Sequence, residues 1–165
     1  MLNHFIRATL PVTLVSLGLL TVAVRAHAEL GGSPMPMPNG ATVGTIAPPA
    51  SAASSAAAAS YTVKQTTLWS GTVVREYIGP DGKVFGIAWS GPRMPDLATL
   101  LGSYLPQVTN AIETQRAQRG GGRGPATVDQ SSGLVLHSGG HMGFFSGQAY
   151  LPQALPAGVA GSNIQ

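Results

Sequence analysis

The chain is 165 residues long, with nine Lys and Arg, six Asp and Glu, and no cysteine. The absence of thiols excludes a disulfide framework, thiol catalysis, Cys-based zinc sites and lipid attachment at a cleaved N-terminal Cys. The formal charge of +3 is small and sits partly in a segment expected to be removed, so the electrostatic case for nucleic acid as a partner is weak and none is expected.

That segment comes first. Arg7 supplies a positive start, Ala8 to Val24 form an apolar run, and Ala26-His27-Ala28 follows the small-x-small cleavage pattern. Together they predict a signal peptide over 1–28, cut after Ala28, and a periplasmic or secreted protein without permanent membrane insertion once the signal is gone. The alternative is a retained anchor. The run holds Pro11, Thr13, Ser16 and Gly18 and sits at the lower limit for spanning a bilayer about 30 Å thick. Loss of Arg7 and Arg25 leaves seven basic against six acidic residues and takes the charge from +3 to +1.

Residues 29–60 read as a Pro/Ala/Ser-rich disordered leader. They carry Ser33-Pro34-Met35-Pro36-Met37-Pro38, then Pro48-Pro49, then an Ala/Ser tract from Ala50 to Ser60. Proline blocks regular pairing, and Ala and Ser bury too little to offset their ordering entropy. From Tyr61 the texture becomes that of strands: 61–68, 72–78 and 83–89, rich in Thr, Val, Ile and aromatics. Ser70-Gly71 and Gly79-Pro80-Asp81-Gly82 supply two hairpin turns, the second with Pro, Asp and Gly placed for a type I turn closing on a glycine bulge. Alternation puts Val74 and Ile78 on one face, Phe85, Ile87 and Trp89 together, and Arg75 and Tyr77 on a wetter face.

Ser90-Gly91-Pro92-Arg93-Met94-Pro95 ends the meander. Leu97, Leu100, Leu101, Tyr104, Leu105, Val108 and Ile112 then recur at helical spacing, with Pro95-Asp96 as a helix start. Pro106 is expected to kink this helix or open a second one. Gly120-Gly121-Gly122 ends it. Arg116, Arg119 and Arg123 around that glycine run read as a solvated helix end, with anion binding as the alternative. Two later strands, 134–137 and 144–151, flank a turn at Ser138-Gly139-Gly140-His141. Residues 156–165 read as a flexible tail. The order predicts one α+β domain over 61–155. A small antiparallel sheet, a three-stranded meander plus two later strands, is packed by one helix.

Several stretches together resemble a bacterial exported family described only as domain of unknown function 2844. They are Leu30-Gly31-Gly32, Tyr61-Thr62-Val63, Arg75-Glu76-Tyr77, Gly91-Pro92 through Pro95-Asp96-Leu97, Leu100-Leu101-Gly102 and Ser138-Gly139-Gly140-His141-Met142. The resemblance implies an exported protein and transfers no catalytic or binding residue.

Three groups of residues offer chemistry. Trp89, Arg93, Phe144, Phe145 and Tyr150 would line an aromatic-rimmed binding surface, since aromatics and Arg favour interfaces. The competing reading is that Trp89 and the Phe pair complete a small core. His137, His141 and Met142 offer soft ligands for copper if the glycines between them form a tight loop, although two histidines across a turn lack the ligand count of a specific site. A hydrolase would use Ser138 with His137 or His141 as base and Asp96 or Asp129 as orienter, but no Gly-x-Ser-x-Gly elbow is present. Gly139 and Gly140 also offer backbone amides to an anion. No close pair stands out among the six acids for glycosidase work. The expectation is an exported, non-enzymatic binding or accessory module of the cell envelope, its partner an envelope or secreted protein. A periplasmic copper-binding protein is the first alternative, and a small hydrolase the second.

Overall fold

The computed structural model describes residues 29–46, 61–122, 124–129 and 133–165. The predicted signal peptide, residues 47–60 of the expected leader, and Arg123 lie outside them. Seven strands form one antiparallel sheet: β1 (Thr42–Ile46), β2 (Thr62–Thr67), β3 (Val73–Ile78), β4 (Val84–Gly91), β5 (Ala126–Val128), β6 (Val135–His141) and β7 (Phe144–Tyr150). Their order is β1-β2-β3-β4-β7-β6-β5. The α+β class, the meander and the two later strands stand as predicted. The sequence did not show β1, a short and largely exposed edge strand behind a proline run, or β5, which is three residues long.

Both meander turns form where turn chemistry places them. Gly79 N donates to the Lys83 carbonyl at 2.9 Å and Gly82 N to the Gly79 carbonyl at 3.0 Å, with Gly82 at φ +76°. The β6–β7 turn lies later than expected. Ser138 to His141 continue β6, and Met142-Gly143 make the connection.

The helical stretch covers 22 residues. It comprises α1 (Leu97–Leu101), a 3-10 turn at Gly102–Tyr104 and α2 (Leu105–Gln118). The split falls just ahead of Pro106, so proline occupies the first turn of α2, where its missing N–H costs no helical bond. Asp96 caps α1: its carboxylate accepts from Ala98 N at 3.0 Å and from the Thr99 hydroxyl at 2.7 Å. The Thr99 bond is the main reason its pKa lies below the ordinary carboxylate value. Partial burial opposes that shift, and the Ala98 and Thr99 backbone amides reinforce it.

One face of the sheet packs on the helices. Val74, Ile87, Trp89, Leu136 and Ala149 meet Leu100, Leu101 and Val108 there. The opposite face holds Tyr61, Val63, Tyr77, Phe85 and Ala88. Phe85 is a correction to the predicted alternation. Tyr77 pairs with Gly86 but Ile78 with Val84, so Phe85 is the extra residue of a β-bulge. The bulge turns its ring away from Ile87 and Trp89 toward Tyr61 and Tyr77.

The expected leader is corrected over 29–46. Leu30 is buried against the helices, with Leu30 N donating to the Leu100 carbonyl at 3.0 Å. Gly31 N donates to Val84 O at 2.7 Å and Val84 N to Gly32 O at 2.9 Å. Met35 is buried too. Its N–H donates to Oε1 of the fully buried Glu76 at 2.6 Å, while Lys64 Nζ lies 3.3 Å from Glu76 Oε2 and donates to the Met35 carbonyl. Two apolar side chains, Leu30 and Met35, a buried acceptor and a pair of backbone bonds to Val84 dock a strap that composition alone reads as a tether.

The flexible tail is corrected as well. Val159 and Ile164 are buried on the bulged face, where Ile164 lies over Gly86. Gln165 N donates to Tyr77 Oη at 2.9 Å, and the Gln165 carbonyl accepts from Tyr77 Oη and from Arg75 Nη1. The side predicted to be wetter is therefore half covered by the chain's own end.

Candidate functional site

The apolar stripe of the helix outruns the core. Leu100, Leu101 and Val108 are buried, but Ile112, one turn further on, is 36 % exposed. Beyond Val108 the helix faces the hairpin of β6 and β7, whose helix-side positions 138, 140 and 147 are Ser, Gly and Gly. Small residues there lower the floor. Gly147 is required, since a Cβ would run into the Trp89 ring. Gly140 is at φ +142°, and a Cβ there would meet the backbone of Phe144 and Phe145.

The result is a groove of about 760 Å³ between α2 and the hairpin. Met94, Leu97, Val108 and Ile112 line one wall; Ala126, Leu136 and Phe145 line the other. Arg116 and Arg119 line its far end together with Gly122 and Gly124, and no acidic residue does so. Arg119 is anchored, with Nη1 donating to the Pro125 carbonyl at 3.0 Å. Gln115 bonds the backbone of Thr127, accepting from its N–H at 3.3 Å and donating to its carbonyl. Gln115 and Arg119 thus occupy the outer edge of β5, satisfying groups that an edge strand otherwise leaves open.

The five residues predicted for a binding surface do not converge. Phe145 lines the groove. Trp89 is buried on the same face, and its Nε1 has no hydrogen-bond partner. Arg93 lines a separate depression of about 470 Å³ beside Trp69. Phe144, 48 % exposed, packs against His141 on the opposite face, with ring centroids 6.3 Å apart. Tyr150 packs against the aromatic cluster and the tail.

His137 and His141 share that opposite face but stand four residues apart on an extended strand, about 13 Å. Met142 is 94 % exposed at the turn, and His141 Nδ1 lies 3.0 Å from the Met142 carbonyl. The tight loop that would join them as ligands is a strand instead. Among the described residues, no group of three or more His, Asp and Glu is placed to hold a metal. His137 contributes instead to a shallow depression of about 500 Å³ with Thr127, Ser146, Gln148 and Gln165. Ser138 pairs with Gly147 on the helix side, so its hydroxyl and the His137 ring project to opposite faces. Asp96 is committed to the α1 cap, and Asp129 follows β5.

Sequence reasoning had found Ile112 and the Arg cluster but not the groove. The available signal was an apolar stripe longer than the expected core, ending at two arginines.

The model of a family described as a protein of unknown function, DUF2844, matches residues 26–164. The chain belongs to that family. No curated protein and no solved structure matches it. In this DUF2844 chain, the stretches that carried the resemblance make structural contacts. Leu30-Gly31-Gly32 docks through Leu100 and Val84, and Glu76 accepts from Met35 further along the same strap. Asp96 caps α1, and Gly102 leaves room for the Glu29 side chain, whose Oε1 accepts from Ser103 N at 2.7 Å. Ser138-Gly139-Gly140 contributes to the floor of the groove. No helix of the described residues is long and apolar enough to cross a membrane.

Proposed function

We propose that this DUF2844 protein is a non-enzymatic binding module that works outside the cytoplasm, as an accessory of the cell envelope. The observation that carries the reading is the groove between α2 and the β6–β7 hairpin. It is concave, mostly apolar and edged by cations, the character of a ligand or partner site. Export rests on the sequence of residues 1–28 and on the strap, which makes Glu29 and Leu30 part of the fold directly behind the predicted cut.

The test is site-specific photo-crosslinking in producing cells, with the cross-linker at Ile112 in the groove and, as control, at the exposed Thr45 of β1. The expected result is an adduct from position 112, absent from position 45, on protein whose intact mass begins at Glu29. Failure to obtain an adduct from position 112 would remove the groove as the binding site. Protein retaining residues 1–28 in the cytoplasm would remove the exported reading.

A further inference from the structure

Three features of the groove bear on its occupant. Its volume of about 760 Å³ falls within the range of about 300–1,000 Å³ typical of small-ligand sites. Its polarity is graded, with apolar walls along Val108, Ile112, Leu136 and Phe145 and two arginines at one end. Arg119 uses one nitrogen on Pro125, and Arg116 has no ion-pair partner among the described residues, so guanidinium donors remain for a ligand. The third feature concerns backbone. A peptide laid in the groove would need main-chain partners, yet β6 is paired by β7 along its whole length and by β5 over residues 136–138, and the outer edge of β5 is occupied by Gln115 and Arg119, which leaves the short run 139–141 with one open side. Hydrocarbon asks for no such partners.

We propose that the groove binds a single-chain anionic amphiphile of the fatty-acid class, a proposal that rests on the binding-module reading above. The tail lies between Ile112 and Phe145 over the glycine floor. The carboxylate meets Arg116 and the free donors of Arg119, a charge-assisted contact suited to guanidinium geometry.

The experiment displaces a dansyl-labelled undecanoic acid from the purified protein, using straight-chain carboxylates of eight to fourteen carbons below their micellar concentrations. Alkylammonium ions and alkanols of the same lengths run beside them. The expected result is affinity rising by up to about fourfold per added methylene until the groove is filled. Carboxylates should outbind ammonium ions of equal length. Arg116→Gln should weaken carboxylates about two- to fivefold and leave alkanols unchanged. Ile112→Trp should reduce all binding while far-UV melting stays that of the parent, because position 112 is partly exposed.

No displacement by any carboxylate overturns the proposal, as does equal affinity for ammonium and carboxylate. So does unchanged binding in a folded Ile112→Trp variant. A protein adduct at position 112 without amphiphile binding overturns this proposal and leaves the module reading standing. Amphiphile binding sensitive to both variants supports it, whether or not a protein is captured.

Discussion

Replacing Glu76 tests whether a buried carboxylate holds the N-terminal strap. Glu76 is fully buried, and Oε1 accepts from Met35 N at 2.6 Å. Glu76→Ala removes a hydrogen bond to a charged acceptor, about 1.5–3 kcal/mol, and leaves the Met35 N–H without its partner. It also strips Lys64 of its ion pair; that side chain is 20 % exposed, so water recovers part of the loss, and a surface-like contribution of about 1 kcal/mol is appropriate. The sum, about 2.5–4 kcal/mol, overlaps the cost of about 3–5 kcal/mol for removing one member of a buried pair. Glu76→Gln keeps the shape and an acceptor for Met35 N, so about 1–2 kcal/mol is expected. The assay is urea unfolding of Glu76→Gln, Lys64→Met and the double variant, read as a coupling energy of about 1–2 kcal/mol. Hydrogen exchange at Leu30 and Met35 runs alongside and should speed up in Glu76→Gln before global unfolding does. A Glu76→Gln cost below about 0.5 kcal/mol, or coupling near zero, would refute the reasoning: the strap would then be held by Leu30 and the backbone bonds to Val84 and Leu100 without help from Glu76.

Other expectations follow from single contacts. The Asp96 carboxyl titrates below its unfolded value, so its stabilising effect is present above that value and is lost as pH falls through the folded pKa. Melting temperature should therefore drop more steeply below about pH 4 for the parent than for Asp96→Asn, and parallel curves would disprove the cap's role. Ile164→Ala should cost about 2–4 kcal/mol in urea, since Ile164 is fully buried over Gly86; an effect under about 0.5 kcal/mol would mean that the tail is not docked. Tyr61 is buried with no partner for its hydroxyl, and burial, then the Tyr77 phenol, raises its pKa. Tyr61→Phe should leave unfolding free energy unchanged or raise it by up to about 1 kcal/mol; a loss of more than about 1 kcal/mol would reveal a hydrogen bond the structure lacks.

Local rules made much of the fold legible. The hairpins at Ser70-Gly71 and Gly79 to Gly82, the helix from Leu97 and its break ahead of Pro106 rest on turn and helix chemistry within a few residues. Long-range events defeated the same rules. Alternation failed at Phe85 because a bulge against Tyr77 and Ile78 adds a residue to one strand. The leader and tail were misread because Leu30, Met35 and Ile164 are isolated apolar residues among Pro, Gly and Ser, without any periodic pattern. The His137–His141 pair was read as a tight loop because glycine-rich runs more often turn than extend. Here Gly139 and Gly140 extend, pairing with Ser146 and Phe145 of β7.

By itself the sequence determined the α+β class, the positions of the meander and the helix, the export signal as an expectation, and family membership as a resemblance. These depend on periodicity, turn residues and short motifs, whose physics is local. Only the tertiary structure decided that the segments from Glu29 to Met35 and from Val159 to Gln165 pack onto the domain, that Ser138 and His137 face apart, and that Ile112, Phe145 and two arginines surround one groove. Burial and convergence are properties of elements far apart in the chain: Leu30 becomes core only because Leu100 and Val84 are there to receive it. The groove likewise exists only because a hairpin lacking bulky side chains lies opposite an apolar stripe that has run past its core.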